Sequence, residues 1–406
     1  MKKIKEKSDY TLAKIRVVGV GGAGCNAVTR MFDVLPRGVD LIAVNTDVQD
    51  LNYTKAKKKL QIGKNVTRGL GTGMNPDLGR QSAEENRAEI ADALSGSDMI
   101  FITAGFGGGS GTGAAPIIAE IAQELGILTV AVLTKPFSFE GARRMQIAEE
   151  GLSRIKDRVD TLITIPNDRI FTMIEKDTPL TKAFEAIDEV LKHSVLGITE
   201  LITIPGTINI DFADVKTVIK NGGAAMIGIG IASGPERALT ASNMALSSPL
   251  LEISIDGAKG ILFSISSNRD LKMDEVNEIA KMIAENVDPS AKIIFGTHHD
   301  RKLRKGQVKV TLVATGFNGI FSKGALTSAL FTGNAQKRSA DSAWEAKTSE
   351  GDAVLRELPF LKNEAGNAEK GKTLEEQKSD NISSRETPEE IWDIPAFLRR
   401  KRKRSH

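Results

Sequence analysis

The chain has 406 residues, more than one ordinary hydrophobic core accommodates, so we expect two domains and a tail. Its 55 Lys and Arg nearly balance its 52 Asp and Glu, and a net charge of +3 gives no reason to expect a nucleic-acid partner. A single cysteine, Cys25, excludes disulfides within the chain and argues against a zinc site. We find no apolar stretch long enough to span a membrane and no signal peptide, which predicts a cytoplasmic chain.

The first half of the chain alternates short apolar runs with helical segments. Five runs are predicted strands, at residues 15–18, 40–44, 99–103, 128–133 and 161–165. Continuous apolar strands of this length are typical of a parallel sheet covered on both faces. The pattern therefore predicts a doubly wound α/β domain, with ligands bound at the carboxyl ends of its strands.

Two glycine-rich turns follow the first and third of these strands. Their sequences are GVGGAG at 19–24 and GGGSGTG at 107–113, and we expect helices from Asn26 and over 114–125. Glycine lets backbone N–H groups approach phosphate oxygens, and a following helix N-terminus adds a favourable dipole. Two such turns in one domain indicate a nucleotide held by more than one phosphate loop.

Three other motifs compete with this interpretation. The first turn fits the dinucleotide fingerprint G-x-G-x-x-G, with Asp47 as its acidic partner, but a dinucleotide site needs only one such loop. The segment 108–112 around Ser110 lacks the final glycine of the nucleophile elbow G-x-S-x-G, which argues against a serine hydrolase. Residues 366–373, GNAEKGKT, match a Walker A loop by letter, but no apolar strand precedes them, so we interpret this match as coincidental.

A long helix is predicted over 180–201, followed by a second unit over 211–317. The predicted strands of this unit are 225–231, 260–266, 292–297 and 308–315, and its predicted helices are 211–220, 236–247 and 273–286. The alternation predicts a smaller α/β domain packed on the first across the long helix.

The chain changes character after residue 317. Residues 336–386 lack apolar periodicity, which predicts disorder, and Thr387 begins a helix-start pattern. Both tryptophans, Trp344 and Trp392, lie in this tail. The six basic residues 399–404 are compatible with binding to anionic lipid or nucleic acid, and equally with a solvated end that binds nothing.

Several polar residues have two interpretations from spacing alone. At a helix N-terminus Asp211 would cap the helix and Asp214 would complement its dipole. Spacing leaves open whether the two acids also face a bound nucleotide or a neighbouring molecule. Phe184 and Asp188 share a helix face and could stack on a purine and read guanine, or form a core contact beside a solvated acid. The charged residues that follow strand 128–133 are at its ligand-facing end, where surface charge is the default: Glu140, Arg143 and Arg144.

Taken together, these motifs resemble the FtsZ family of bacterial cell-division GTPases, within the tubulin superfamily. The resemblance covers residues 15–317 and rests on the loop 107–113 and the acidic segment 209–214, and it resumes at the C-terminal peptide 393–400. Ser110 stands where the family usually has Thr, while Ala23 and Cys25 replace glycines. We expect Ser110 to change little, because Ser and Thr both supply a hydroxyl and a backbone amide, and we expect the small departures at Ala23 and Cys25 to tune the phosphate contacts.

The resemblance implies a role for each site residue, with GTP or GDP as the nucleotide and Mg²⁺ as its ion. The expected phosphate-binding residues are Gly22, Ala23, Gly24, Cys25, Asn26, Gly107, Gly108, Gly109, Ser110, Gly111, Thr112 and Gly113. The ribose is expected to meet Glu140, Arg144 and Asn167, and guanine to meet Phe184 and Asp188. Asn209, Asp211 and Asp214 are implied to be catalytic, acting on the nucleotide of the neighbouring subunit.

The resemblance also implies a head-to-tail homopolymer at the division site beneath the membrane, reached through adaptors that bind residues 393–400. The implied regions are 1–14, an N-terminal extension; 15–179, the GTP-binding domain; 180–208, the central helix and connector; 209–317, the C-terminal GTPase-activating domain; 318–386, a disordered linker; and 387–406, the adaptor-binding peptide and basic end. A nucleotide-regulated scaffold without catalysis, and plasmid or phage relatives of tubulin, are the alternatives. The acids Asp211 and Asp214 favour the enzyme, and the tail peptide favours cell division.

Overall fold

The computed structural model describes residues 13–36, 38–172, 174, 177–248, 255, 257–300 and 302–317. Both tryptophans, the Walker-like segment 366–373, the linker and the C-terminal peptide lie outside the described residues, as does most of the N-terminal extension. Of the described helices, none combines the length and hydropathy needed to cross a membrane.

The first half of the described chain contributes six parallel strands. They are β1 (Ile15–Val20), β2 (Val39–Asn45), β3 (Lys58–Gln61), β4 (Met99–Gly105), β5 (Leu128–Lys135) and β6 (Thr161–Pro166). Their order in the sheet is β3-β2-β1-β4-β5-β6. The five predicted strands are confirmed. β3 was missed because this edge strand, Lys-Lys-Leu-Gln, has only one buried residue, Leu60.

Seven α-helices lie between these strands among the described residues. They are α1 (Gly21–Met31), α2 (Val48–Tyr53), α3 (Lys64–Thr67), α4 (Pro76–Glu85), α5 (Arg87–Leu94), α6 (Ser110–Glu124) and α7 (Ala142–Ile155). The predicted starts of two of them were wrong, because α1 begins at Gly21 and α6 at Ser110, inside the glycine turns. Glycine disfavours helix in general, but here it is required for close packing. A Cβ on Gly24 would lie 2.4 Å from the carbonyl oxygen of Thr103.

The second half extends the same sheet. Its elements are α8 (Leu180–Thr203), β7 (Gly206–Ile208), α9 (Phe212–Ile219), β8 (Gly223–Ser233), α10 (Arg237–Leu246), β9 (Gly260–Ser267), α11 (Met273–Glu285), β10 (Lys292–His299) and β11 (Gln307–Thr315). β8 pairs parallel with β6, and the order continues β6-β8-β11-β9-β10-β7. β11 is antiparallel to both neighbours, whereas β9 and β10 are parallel. The predicted strands and helices of this unit are confirmed.

Apolar side chains on both faces of the sheet form the core. One cluster joins the sheet to α1, α8 and α9, a second lies under α5 and α6, and a third lies under α10 and α11. Phe101 in β4 and Phe263 in β9 are fully buried. Each such side chain stabilises the fold by about 1.5–3 kcal/mol relative to exposure. This packing fixes the carboxyl ends of the parallel strands, where the glycine loops lie.

Candidate nucleotide site

The two glycine loops touch each other at the carboxyl edge of the sheet. β1 and β4 are parallel neighbours, so the turns that follow them emerge side by side. Gly21 has a φ of +71°, and a Cβ there would lie 2.8 Å from the backbone nitrogen of Gly111. Only glycine combines that φ with so close an approach. The loops therefore form one continuous backbone surface.

The second loop is packed on one side and open on the other. A Cβ on Gly109 would lie 2.2 Å from Thr72 Oγ1 and 2.6 Å from the carbonyl oxygen of Gly73. A Cβ on Gly108 would meet nothing within 4 Å. Gly107, at a φ of +100°, donates its backbone N–H to Thr112 Oγ1 at 3.0 Å. The open side at Gly108 has room for a ligand.

Two threonines that the sequence analysis missed hold the hydroxyl of Ser110. Thr46 Oγ1 lies 2.8 Å and Thr72 Oγ1 3.0 Å from Ser110 Oγ. Thr46 is fully buried at the end of β2, and Thr72 is also buried. The pair Gly71 and Gly73 around Thr72 is a third glycine turn, which could have drawn attention to it.

The first loop presents a mixture of exposed and buried residues. Gly22 is half-buried, Ala23 and Asn26 are exposed, and Gly24 and Cys25 are buried. Burial raises the pKa of the Cys25 thiol to about 11, so this side chain stays neutral in the core. Cys25 can therefore meet a phosphate through its backbone alone.

Phe184 and Asp188 lie on the first turns of α8, beside the loop that follows β5. Phe184 is 40% exposed, and its ring lies edge-on to that of Phe137 at 5.7 Å between centroids. Asp188 Oδ2 accepts a hydrogen bond from Arg30 Nε at 2.8 Å. Burial raises the pKa of Asp188 to about 6, and Arg30 opposes that rise. The ring and the carboxylate share one face, as the spacing predicted.

The predicted ribose-binding residues follow β5 and β6. Glu140 accepts a hydrogen bond from the backbone of Phe137 at 2.9 Å and forms an ion pair with Arg144. Asn167 is buried, and its Oδ1 atom has no hydrogen-bond partner among the described residues. A buried unpaired acceptor is costly, which makes it a candidate ligand contact. Arg143, which spacing left open, donates to Gln146 instead.

The acidic segment lies far from these loops in the same chain. Ile210 packs against β10, since a Cβ on Gly296 would lie 3.0 Å from its Cγ1 atom. The helix that this segment begins, α9, ends beside the start of β6, because Ile219 accepts a hydrogen bond from Thr161 Oγ1 at 2.6 Å, whereas the glycine loops follow the ends of β1 and β4. Asp211 caps α9, accepting from the backbone of Ala213 at 3.3 Å, and Asp214 lies exposed in its first turn. Asn209 Oδ1 accepts from the backbone of Gly206 at 2.6 Å.

The residues beside the first loop suit Mg²⁺ bound mainly to a nucleotide. Among the described residues no group of three or more His, Cys, Asp or Glu could hold a metal by itself. One carboxylate is close, because a Cβ on Gly22 would lie 3.3 Å from Asp50 Oδ2. Mg²⁺ at phosphate sites usually has one or two carboxylates and takes its other ligands from phosphates and water. The donor set therefore fits the ion only together with phosphates.

Both halves of the described chain match models of known protein families. Residues 14–175 match the GTPase domain of the Tubulin/FtsZ family, and residues 223–318 match the C-terminal domain of the FtsZ family. The fold and its paired glycine loops thus define a GTPase of the tubulin/FtsZ class.

Solved structures define the family more narrowly. An empty FtsZ dimer and an FtsZ mutant, both from M. jannaschii, are each 50% identical, with a TM-score of 0.73. Each alignment covers 76% of this chain, together with 90% of the chain in the empty dimer and 92% of the mutant chain. CetZ1 and CetZ2 from Haloferax volcanii, the first a GDP-bound monomer and the second a GTPγS-bound protofilament, share the fold at 20% and 22% identity. CetZ1 has a TM-score of 0.67, and its alignment covers 78% of this chain and 99% of CetZ1. CetZ2 has a TM-score of 0.62, and its alignment covers 75% of this chain and 93% of CetZ2.

This chain belongs to the FtsZ family, a family of tubulin-like cell-division GTPases. The dinucleotide-binding interpretation of the first loop was therefore wrong. Asp47, its supposed acidic partner, caps α2 by accepting from the backbone of Gln49 at 2.9 Å.

Proposed function

We propose that the chain hydrolyses GTP between subunits of a head-to-tail filament, and that this filament forms the division ring. The glycine loops bind the phosphates, Phe184 stacks on guanine, and Asp188 accepts hydrogen bonds from its Watson–Crick edge. Glu140, Arg144 and Asn167 meet the ribose and its surroundings. Phosphate loss weakens the subunit contact, which couples hydrolysis to filament turnover.

The separation between the glycine loops and the acidic segment carries this proposal. Asp211 and Asp214 are exposed and follow the end of α8 that is remote from Phe184 and Asp188. Their helix, α9, ends beside the start of β6, at the edge of the sheet opposite the glycine loops, so we infer that the acids do not reach a nucleotide on the loops of their own chain. α8 alone, with 24 residues, spans about 36 Å. A neighbouring copy can supply the acids if subunits stack in one direction. Such a heterologous contact generates an open filament when the rotation between subunits does not close a ring.

The acids suit activation of water. Asn209 and the carboxylates of Asp211 and Asp214 orient and polarise the water that attacks the γ-phosphate. Positioning of this kind is most of the catalysis in phosphoryl transfer. Asp50, beside the first loop, would hold Mg²⁺ together with the phosphates, and the ion would supply positive charge to offset the charge that develops in the transition state. The backbone N–H groups of the glycine loops oppose the same charge from the other side.

The division-site role rests on the C-terminal peptide. Residues 393–400 lie outside the described residues, and we propose that they bind membrane-associated division proteins. Ile394, Phe397 and Leu398 provide apolar anchors for an adaptor groove. Deletion of residues 388–406 should abolish adaptor binding and leave assembly intact, whereas loss of assembly would make this segment structural.

Asp211→Asn tests the catalytic assignment without removing the helix cap, because Asn caps a helix as well as Asp does. We expect GTP to bind as it does to the unmodified protein, and turnover to fall by at least about a hundredfold. Asp274→Asn, which neutralises an exposed acid in the first turn of α11, is the matched control and should leave turnover unchanged. Weakened GTP binding by the Asp211 variant at concentrations too low for assembly would contradict a site shared between subunits.

A further inference from the structure

The ion pair between α1 and α8 lies at the base-binding end of the site. Arg30 is near the end of α1, and its Nε atom donates to Asp188 Oδ2 at 2.8 Å. The Asp188 side chain is only 13% exposed, whereas that of Arg30 is 37% exposed. Arg30 therefore reaches from the surface to a nearly buried carboxylate.

We propose that Arg30 is a positioning residue for guanine recognition, which keeps the Asp188 carboxylate oriented and ionised so that it can accept two hydrogen bonds from the base. This inference rests on the proposed function, in which Asp188 reads guanine. It goes further by assigning specificity to a residue of α1 that contacts Asp188 and not the nucleotide.

The Asp188 carboxylate has enough hydrogen-bond acceptors to bind Arg30 and guanine at the same time. Guanine presents two adjacent donors, N1–H and the exocyclic amino group, so its partner must be an ionised carboxylate with both oxygens turned toward the base. Arg30 uses one lone pair of Oδ2, and each carboxylate oxygen has a second lone pair for the base. A guanidinium held at 2.8 Å also fixes the rotation of the carboxylate.

Burial and two neighbouring glutamates favour the neutral form of Asp188. Burial has the largest effect and raises the pKa of Asp188, while the Coulombic repulsion of Glu189 and Glu185 on the same helix raises it further. Arg30 on α1 opposes these effects through its charge and its hydrogen bond. Without Arg30 the carboxyl would take up a proton nearer neutral pH, and a protonated carboxyl cannot accept both hydrogen bonds from guanine.

The acids on α8 have basic neighbours of their own. Glu185 pairs with Lys182 at 2.8 Å, and lies 3.9 Å from Arg30. Glu189 pairs with Lys192 and lies 3.6 Å from His193 Nε2. These partners partly screen the two glutamates, so Arg30 is the cation that acts directly on Asp188.

Binding of GDP and IDP to the full-length protein tests the proposal, since IDP lacks the exocyclic amino group. In Arg30→Gln we expect GDP affinity to fall about tenfold at pH 7 and to recover largely by pH 8, where Asp188 ionises again and the N1–H groups of both bases are still mostly protonated. The preference for GDP over IDP should shrink at pH 7 and return with the affinity. Arg30→Lys keeps the charge and should retain most of the affinity at pH 7.

Two controls separate this proposal from a structural role and from the proposed function. Glu185→Gln removes the second partner of Arg30 and should not weaken GDP binding. An affinity loss in Arg30→Gln that is equal at every pH, or tighter binding, would overturn the proposal. If Asp188→Asn left the GDP preference unchanged, the guanine assignment itself would fail. If that variant lost the preference while Arg30→Gln behaved like the unmodified protein, only the role of Arg30 would fail.

Discussion

At the scale of single residues, the second glycine loop depends on side chains that are distant in sequence. Ser110 is held by Thr46 at 2.8 Å and Thr72 at 3.0 Å, from two different loops. Two bonds fix the rotation of its hydroxyl next to the open side of the loop at Gly108. The position of the loop is thus coupled to the end of β2 and to the turn before α4.

Thr46→Val should expose this coupling, because valine keeps the shape of threonine and removes the hydroxyl. Loss of one neutral hydrogen bond costs about 1 kcal/mol, so we expect kcat/KM for GTP to fall about fivefold. Thr46→Ser restores the hydroxyl and should recover most of that loss. Steady-state turnover at a fixed protein concentration measures both, and an unchanged Thr46→Val variant would show that the hydroxyl contact is incidental.

At the scale of elements, the aromatic side chains beside the site form an exposed patch. Phe137 is buried at its centre, with the rings of Phe139, Phe171 and Phe184 at 4.8, 5.0 and 5.7 Å. Phe139 is 62% exposed and Phe171 51% exposed. Exposed aromatic clusters of this kind mark interaction surfaces, and in the proposed function this one borders the nucleotide that a neighbouring subunit would cover.

Phe139→Ser should therefore weaken assembly and leave nucleotide binding to the monomer nearly unchanged. We expect the protein concentration at which filaments first form to rise at least about fivefold, since apolar area is lost from the contact. Met273→Ser is the control, because Met273 is 76% exposed at the start of α11, away from the site. Light scattering over a concentration series gives the threshold, and equal effects of the two substitutions would rule out a specific role for the patch.

The strands were predictable from sequence and much of the site was not. Buried strands such as β1 and β4 are largely apolar runs, whereas β3 has two lysines and β7 only three residues, so neither of these two forms such a run. Glycine loops are recognisable because their function needs consecutive residues. Thr46, Thr72 and Arg30 reach the site from separate elements, and only the packing of the sheet brings them there.

At the scale of the whole molecule, a buried polar network joins α8 to the C-terminal strands. Glu200 lies 3.2 Å from Lys309 Nζ and 3.6 Å from His298 Nε2, and both partners are more than nine-tenths buried. Burial alone would raise the pKa of Glu200, but the nearby His298 and the charge and hydrogen bond of Lys309 outweigh it and lower that pKa to about 2. The network thus stabilises the fold while Glu200 is ionised.

The lowered pKa predicts a definite pH dependence. A carboxyl whose folded pKa lies below its unfolded value of 4.5 stabilises the protein above that value, and the contribution is lost as the pH falls toward 2. Glu200→Gln should lower the free energy of unfolding by about 3 kcal/mol at pH 7, and by much less at pH 3. Urea denaturation at the two pH values measures this, with Glu285→Gln as an exposed control. An equal loss of unfolding free energy at pH 7 and pH 3 would contradict an ionic role for Glu200.

Turnover per molecule as a function of protein concentration tests the shared active site most directly. GTP hydrolysis and light scattering would be recorded together with Mg²⁺ present, from concentrations below assembly to well above it. Because α9, which carries the proposed catalytic acids, ends beside the start of β6 while the glycine loops follow the ends of β1 and β4, we predict negligible turnover below a threshold, and a rise in step with scattering above it. Constant turnover per molecule without scattering would mean that each chain completes its own site, and would contradict catalysis between subunits.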